Sequence, residues 1–385
     1  MGEKHIKNYR TFIMKILHTV KHAYPSTGGM ESVVKDIVEG VHSVDTNIDF
    51  TVYSNSYINT IRFQQFLHND IAYVKERTFG HFKSQPLTVY YSKLAKLIDE
   101  HDIIHHHYPF PNMEANLVNR LSKLKDKKLV ITWHANIGQS RWKSLERIYN
   151  PMVKKLLDRA DSIVVTSPQL VENSNILPTY QTKIEVIPLS YSERFDVNKQ
   201  TVRTLTVNRP LRILFVGRLR AYKGVAVLLQ AIKDLDVRLS VVGNGEHGNE
   251  LKLLVKELDI ASKVQFYEQL DDSQVEEMYK DSDLFVLPSI NEAEAFGVVQ
   301  LEAMATGLPV INTNLKSGVP SVSLHNITGL TVEPKNVLAL REAIQLIMND
   351  QELYRSFSKN ALQRVKEFRR EKLTYSYLNL YKNSI

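Results

Sequence analysis

The sequence predicts an α/β protein with two doubly wound, Rossmann-like domains. The chain has 385 residues. That is longer than one hydrophobic core usually organises, so two domains are expected. Short β-branched runs alternate with helix-period segments, and this alternation occurs twice along the chain. Between the two series, residues 188–210 are polar and irregular, which is typical of an interdomain linker.

The first domain is expected over residues 14–195, after an N-terminal extension at residues 1–13. Short apolar runs predict its strands at residues 15–20, 50–53, 102–105, 129–132 and 162–166. The segments between these runs have helical periodicity, beginning with Glu31 to about Val41. Buried strands that alternate with helices indicate a parallel sheet.

The second domain is expected over residues 196–365 and shows the same pattern more clearly. Its predicted strands are residues 211–216, 238–242, 264–267, 284–288 and 309–312. Its predicted helices are residues 223–233, 246–258, 273–280 and 297–306. The last helical stretch, at about 351–385, is long for one domain. Residues 366–385 are therefore expected to cross back to the first domain.

The composition is that of a globular protein, with 43% hydrophobic and 24% charged residues. The chain has no cysteine, which excludes disulfides, cysteine-ligated zinc, iron–sulfur clusters and thiol catalysis. It has no apolar run long enough to predict a membrane span, and its polar start does not resemble a secretory signal. A cytoplasmic protein is expected.

The positive charge is concentrated in one segment. Residues 120–159 carry 11 Lys or Arg and 3 Asp or Glu. Such a segment suits phosphates, an anionic lipid surface or nucleic acid, although a solvated helix face is the simpler interpretation.

Ligands of an open parallel sheet bind at the carboxyl ends of its strands. After the first strand of the second domain, Gly217 and Gly224 flank a loop that contains Arg218 and Lys223. The two cations can neutralise a diphosphate. Other turns of this kind contain Gly243-Asn244 and, in the first domain, Gly28-Gly29. The latter opens a helix and suits a phosphate, but a simple tight turn explains it equally well.

Two glutamates follow a later strand of the second domain. Glu294 lies in the loop, Gly297 at the predicted helix entrance, and Glu302 more than one turn inside that helix. At ~1.5 Å per residue the carboxylates are offset by up to roughly 12 Å, so they are expected to contact different parts of one extended ligand. A glycosidase-type acid–base pair stays open on the sequence alone.

With these motifs, the chain from Met14 onward resembles the family 4 retaining glycosyltransferases. That resemblance implies the GT-B fold, in which two Rossmann-like domains face each other across a cleft. Arg218 and Lys223 are then expected to hold the donor diphosphate, with Gly29 approaching the phosphates and Glu302 the ribose hydroxyls. Donor contacts are implied for Gly28, Gly29, Gly217, Arg218, Lys223, Gly243, Asn244, Glu294, Ala295, Phe296, Gly297, Val298 and Glu302. Catalytic roles are implied for His134, Arg218, Lys223 and Glu294, with His134 reaching the sugar from the first domain.

The implied reaction is hexose transfer from a UDP- or GDP-sugar to a saccharide acceptor, with retention of configuration. The segments 102–109 and 317–323 look like those of bacterial enzymes of surface polysaccharide synthesis, for O-antigen, lipopolysaccharide or capsule. A lipid-linked acceptor and peripheral binding at the inner face of the cytoplasmic membrane are therefore expected. No nucleic-acid partner is expected.

Other activities of the same fold stay open, among them a sugar-nucleotide epimerase, a phosphorylase, and a nucleotide- or glycan-binding protein without activity. Transfer is favoured because the first domain offers side chains for an acceptor near its strand ends, and these are Tyr108, Phe110, Asn112, Asn136 and Trp142. A phosphorylase needs a pyridoxal lysine and a longer chain. A homologue without activity is expected to lack one of the phosphate ligands, and all are present.

No metal or other cofactor is expected, since Arg218 and Lys223 supply the charge that a divalent cation would otherwise provide. The consecutive residues His105, His106 and His107 do not predict a metal site, because neighbours on a strand point to opposite faces of its sheet.

Overall fold

The computed structural model describes residues 13–26, 28–56, 63–82, 85–88, 90–136, 146–206 and 208–384. Nearly all of the expected N-terminal extension lies outside these residues. The predicted fold class, two doubly wound α/β domains, is confirmed. In the part of the chain that the structure describes, no helix has the length and apolar character needed to span a membrane.

The first domain is built on a sheet of eight strands. Its strands, with those of a small hairpin, are β1 (Met14–Thr19), β2 (Ile48–Asn55), β3 (Gln64–His68), β4 (Ile71–Glu76), β5 (Gly80–Phe82), β6 (Gln85–Leu87), β7 (Ile103–Tyr108), β8 (Lys128–Trp133), β9 (Ser162–Val165) and β10 (Ile184–Val186). The sheet order is β10-β9-β8-β7-β1-β2-β4-β3, and every neighbouring pair is parallel except β3 and β4. β5 and β6 form the separate antiparallel hairpin. The helices of this domain are α1 (Gly29–Val44), α2 (Leu94–Glu100), α3 (Pro111–Val118), α4 (Glu146–Arg159) and α5 (Pro168–Glu172).

The sequence patterns did not predict β4 or the edge strands β3 and β10. β4 ends in Lys75 and Glu76, which limit its apolar run to four residues although both are buried. Lys75 Nζ donates to the carbonyl of Ala23 at 3.1 Å, and the Tyr53 hydroxyl donates to Glu76 at 2.6 Å. Because these charges have tertiary partners, they can lie inside a sheet where composition argues against a strand.

The second domain has a sheet of six parallel strands. They are β11 (Leu211–Val216), β12 (Val237–Val242), β13 (Val264–Tyr267), β14 (Leu284–Val286), β15 (Val310–Thr313) and β16 (Gly329–Val332). Their order is β13-β12-β11-β14-β15-β16. The helices that follow are α6 (Val225–Ala231), α7 (Gly248–Glu257), α8 (Asp272–Asp281), α9 (Val299–Ala305), α10 (Val319–Val322), α11 (Val337–Asn349), α12 (Gln351–Arg364) and α13 (Arg370–Lys382).

The C-terminal stretch that the sequence predicts as one helix is divided into α12 and α13 by a 3₁₀ turn, Val365–Phe368. α13 packs on the first domain, where Tyr377 and Tyr381 are buried among its strands. Arg370 lies 3.6 Å from Asp36 on α1. One continuous cluster of buried apolar side chains consequently joins one face of the first sheet, α13 and the second domain, and a separate cluster covers the other face.

The connecting segment, residues 188–210, is more ordered than its polar composition indicates. Leu189, Tyr191, Phe195 and Val197 are buried in the continuous cluster. The N–H of Tyr191 donates to the carbonyl of Phe368 at 3.3 Å. The segment is therefore packed against the C-terminal turn instead of lying free between the domains.

We expect Gly224→Ala to destabilise the protein by about 2 kcal/mol or more. Gly224 has a φ of +68°, and a Cβ at this position would overlap the carbonyl oxygen of Pro288. The free energy of unfolding in urea measures the effect, with Gly248→Ala as the control, since a Cβ there makes ordinary contact with Leu219 at 3.5 Å. Equal stability of the two variants would contradict the expectation.

Candidate active site

Two glycine turns lie side by side at the carboxyl ends of β11 and β12. The N–H of Gly217 donates to Val242 at 2.9 Å, and that of Leu219 donates to Asn244 at 2.8 Å. Gly243 has a φ of +129°, and a Cβ there would overlap the carbonyl oxygen of Gly217. Only glycine lets the two loops approach this closely. The arrangement leaves the side chain of Arg218 exposed at the sheet edge.

Lys223 and Glu294, which the sequence predicts as separate ligands, form a buried ion pair. Nζ of Lys223 lies 2.5 Å from Oε2 of Glu294, and the residues are 8% and 7% exposed. Ser289 donates to the same carboxylate oxygen at 2.9 Å. Burial by itself lowers the pKa of Lys223, but the Glu294 carboxylate outweighs it and the pKa is raised above its ordinary value. Lys223 therefore keeps its positive charge in a closed site.

Glu302 lies nearer the start of its helix than the sequence predicts. α9 begins at Val299, so Glu302 is in the first turn. Its carboxylate accepts a hydrogen bond from the Tyr279 hydroxyl at 2.8 Å and lies 3.3 Å from the guanidinium of Arg194. Burial raises the pKa of Glu302, while Arg194 opposes the shift.

Arg194 is a functional candidate that the sequence patterns did not reveal. It comes from the connecting segment and also lies 2.5 Å from Asp272 at the start of α8. Its guanidinium stacks over Phe195, 4.8 Å from the ring centre. A lone arginine in an irregular segment carries no spacing signal, so only the tertiary contact identifies it.

The loop before α9 approaches the first domain. The carbonyl of Ala295 accepts a hydrogen bond from the N–H of Gly318 at 2.7 Å, which fixes the loop. A Cβ on Gly318 would lie 3.0 Å from Oγ of Ser167 in the first domain. Phe296 is buried, and Val298 is the N-cap of α9.

A cavity of about 330 Å³ between the domains is lined by Thr166, Ser167, Phe296, Arg364 and Phe368, among others. The carboxyl ends of the two sheets therefore face each other.

Gly28 caps α1, and Gly29 is its exposed first residue. The carboxylate of Glu31 folds back over Gly28. Burial raises the pKa of Glu31, while the charges of Lys21 and Arg218 oppose the shift. Since Arg218 belongs to the second domain, this acid and the predicted phosphate ligand face one another across the cleft. The predicted phosphate position at the start of α1 thus already contains a carboxylate.

His134 follows β8 at the carboxyl edge of the first sheet and is 9% exposed. Its Nε2 lies 2.9 Å from Nδ1 of His107. Burial lowers the pKa of His134 to about 3. At neutral pH the ring is therefore an uncharged hydrogen-bonding group and cannot act as a cation toward a phosphate.

The residues predicted to bind an acceptor are less available than expected. Tyr108 stacks on Trp133 with 3.6 Å between ring centres, and Phe110 is fully buried. Asn136 accepts a hydrogen bond from the Trp133 indole at 2.8 Å, and half-buried Asn112 donates to the carbonyl of Thr88 at 3.4 Å. Tyr108 at the end of β7 and Phe110 just after it therefore complete the core instead of facing a ligand. Trp142 lies outside the described residues.

The three consecutive histidines alternate between the faces of the sheet as predicted, but His18 of β1 joins His105 and His107 on one face. One ring nitrogen from each lies within 4.8 Å of the others, a grouping that could hold a metal ion. The pattern of one strand alone could not reveal this, because the third residue comes from a neighbouring strand. All six ring nitrogens nevertheless lie within hydrogen-bonding distance of protein groups, so a metal would have to displace these contacts.

Part of the basic segment is neutralised by acids outside it. Lys123 lies 2.6 Å from Asp99, and Arg159 lies 2.9 Å from Asp161. Lys154 and Lys155 on α4 are exposed. The surface charge is therefore smaller than the sequence count indicates.

Known proteins match this chain in both halves. Residues 27–191 match a family model described as Glycosyltransferase Family 4, and residues 197–364 match one described as Glycosyl transferases group 1. The chain is 29% identical over 375 residues to O-antigen chain mannosyltransferase C of Escherichia coli, covering 96% of this chain and 98% of that protein. It is 28% identical to D-rhamnosyltransferase WbpZ of Pseudomonas aeruginosa, covering 92% of each chain. The structure of HepE from Anabaena in complex with UDP is similar, with a TM-score of 0.72 at 18% identity, covering 96% of this chain and 100% of that one.

We expect Lys223→Met to lower the free energy of unfolding by about 3 kcal/mol, because it leaves the carboxylate of Glu294 buried without its counter-charge. Adding Glu294→Gln removes that charge and is expected to restore most of the stability. Chemical unfolding of the single and double variants measures both effects. If the double variant is no more stable than Lys223→Met, the ion pair does not determine stability at this position.

Proposed function

The chain belongs to the family 4 glycosyltransferases and has the GT-B fold, and on that basis we propose that it transfers a hexose from a UDP- or GDP-sugar to a saccharide acceptor. The observation that carries the proposal is the Lys223–Glu294 pair, buried at the carboxyl edge of the second sheet beside exposed Arg218. A cation that stays charged in a closed site suits an anionic leaving group.

Breaking the bond between the anomeric carbon and the phosphate oxygen leaves negative charge on a nucleoside diphosphate. Arg218 can reach this charge from the exposed loop, and Lys223 is already aligned by Glu294. Cations and hydrogen-bond donors that are already held in place stabilise the charge that develops in the transition state, because they do not have to reorganise during the reaction. We therefore assign diphosphate stabilisation to Arg218 and Lys223, without a metal ion.

Glu302 is proposed to bind the ribose hydroxyls. Arg194 and Tyr279 already fix its carboxylate, so the oxygens present their remaining lone pairs in a defined direction. The connecting segment would in this way contribute to the nucleotide site through Arg194.

Retention of configuration is proposed to proceed by attack on the same face as the leaving group. The carboxylate of Glu294 is held by Lys223 and Ser289, an arrangement that suits hydrogen bonding to a sugar better than nucleophilic attack. The departing phosphate is then the base that takes the proton from the acceptor hydroxyl.

The acceptor is proposed to be a lipid-linked saccharide of a cell-surface polysaccharide. Two relatives that align over more than nine-tenths of this chain are named as an O-antigen mannosyltransferase and a rhamnosyltransferase. Exposed Lys154 and Lys155 would then face the anionic lipid surface that carries the acceptor.

The donor is identified by a thermal-shift screen of UDP, GDP and their hexose conjugates, since a ligand that binds the native state raises the Tm. With the donor that gives the largest shift, Arg218→Ala is expected to reduce turnover about 100- to 1,000-fold. Arg212→Ala removes the same charge near the opposite end of β11 and is the matched control. Normal turnover in Arg218→Ala would contradict the phosphate assignment.

Transfer activity is expected to persist in excess EDTA, because the proposed reaction uses no metal ion. Loss of activity in EDTA with recovery on adding Mg²⁺ would contradict the metal-free reaction.

The protein is expected to float with vesicles that contain anionic lipid at low salt and to be released at high salt, because each cation near the surface contributes only about 1 kcal/mol. Lys154→Glu/Lys155→Glu is expected to weaken flotation. Lys233→Glu/Lys256→Glu makes the same charge change in the second domain and serves as the control. Equal flotation of the two double variants would show that α4 is not the membrane-facing surface.

A further inference from the structure

A continuous chain of hydrogen-bonding groups runs through the first domain from the C-terminal helix to the cleft. From α13 to the cleft, its members are Tyr377, Thr132, His105, Tyr381, His18, His107 and His134. The successive donor–acceptor distances are 3.2, 2.7, 2.7, 3.2, 2.9 and 2.9 Å. Six of the members are fully buried, and His134 lies at the open end with 9% exposure.

The imidazoles of this chain are uncharged. Burial lowers the pKa of His18 to about 3, and it lowers the pKa of His105 and His107 well below the ordinary value. A neutral imidazole has one N–H and one acceptor nitrogen. Each internal member of the chain can therefore donate to one neighbour and accept from the other, so all hydrogens point the same way along the chain.

The buried end at α13 determines that direction. Within the described residues, Thr132 Oγ1 is the sole hydrogen-bond partner of the Tyr377 hydroxyl. A buried hydroxyl hydrogen without an acceptor costs free energy, so Tyr377 donates to Thr132. Thr132 must then donate to Nε2 of His105, whose Nδ1–H donates to Tyr381.

The same direction continues to the cleft. Tyr381 donates to Nε2 of His18, Nδ1–H of His18 donates to His107, and Nδ1–H of His107 donates to Nε2 of His134. With Nε2 accepting, the hydrogen of His134 is on Nδ1. Among the described side chains and backbone groups, none accepts a hydrogen bond from this nitrogen.

We propose that α13 sets the tautomer of His134 through this chain, with Tyr377, Tyr381 and the intervening histidines acting as positioning residues. His134 then presents Nδ1–H as an uncharged hydrogen-bond donor to a hydroxyl or ring oxygen of the donor sugar. This role rests on the proposed function, whereas the tautomer itself can be measured without substrate. It also gives the C-terminal helix a part in positioning a group of the site, beyond joining the two domains.

The tautomer is read from the nitrogen chemical shifts of the full chain labelled with ¹⁵N-histidine, and the signal of His134 is assigned by its loss in His134→Asn. Wild-type protein is expected to show His134 protonated on Nδ1. An Nε2-protonated or doubly protonated ring would overturn the proposal. This measurement stays informative even if the chain transfers no sugar.

Two nearly isosteric variants at His107 test the direction of the chain. His107→Gln can accept from His18 and donate to His134, so it is expected to keep the Nδ1–H signal. The carboxylate of His107→Glu can only accept, so His134 is expected to change to the Nε2–H tautomer. Turnover is expected to be at least tenfold lower in the Glu variant than in the Gln variant. The same tautomer in both variants would overturn the proposal.

Tyr381→Phe separates the role of the helix from that of the neighbouring histidines. It cuts the chain between His105 and His18, and His134 is then expected to populate both tautomers. The circular dichroism spectrum and Tm of the variant show whether α13 still packs on the first domain. An unchanged His134 signal in a folded Tyr381→Phe protein would show that α13 does not set the tautomer.

Discussion

The contact between Lys223 and Glu294 is the constraint on which the cleft edge of the second domain depends. It joins the loop after β11 to the loop after β14, two neighbouring strands of the sheet, and it is possible only because Gly217 and Gly224 shape the chain around the lysine. The pair holds a full positive charge in a nearly closed position without leaving it uncompensated. The direction of the lysine side chain is therefore fixed in the absence of any ligand.

The two domains contribute different chemistry to the cleft. The second domain supplies the cations Arg218 and Lys223, and the first supplies the half-buried acid Glu31 and the uncharged ring of His134. The cations and the uncharged hydrogen-bonding ring therefore lie on opposite sides of the cleft. A ligand bound in the cleft would therefore contact groups from both domains.

The sequence predicts the fold class and the carboxyl-end loops well, because buried parallel strands and glycine turns leave strong local patterns. It fails where tertiary contacts decide the outcome. Lys75 and Glu76 hide β4, Arg194 carries no spacing signal, and the approach of His18 to His105 and His107 depends on strand order. The aromatic residues Tyr108 and Phe110 follow a strand as ligands would, yet they complete a core. Local patterns identify where a site can form, and tertiary packing decides which side chains face it.

The return of α13 to the first domain makes the folding of that domain depend on a segment that is synthesised late. Tyr377 and Tyr381 fill space between strands that are synthesised hundreds of residues earlier, and α13 is the last of the described helices to leave the ribosome. Until α13 docks, the first domain lacks the two tyrosine side chains that complete its core, and His18 and His105 lack the Tyr381 hydroxyl as a hydrogen-bond partner. Disruption of α13 would therefore open the core of the domain at the opposite end of the sequence, although every strand of that domain is unchanged.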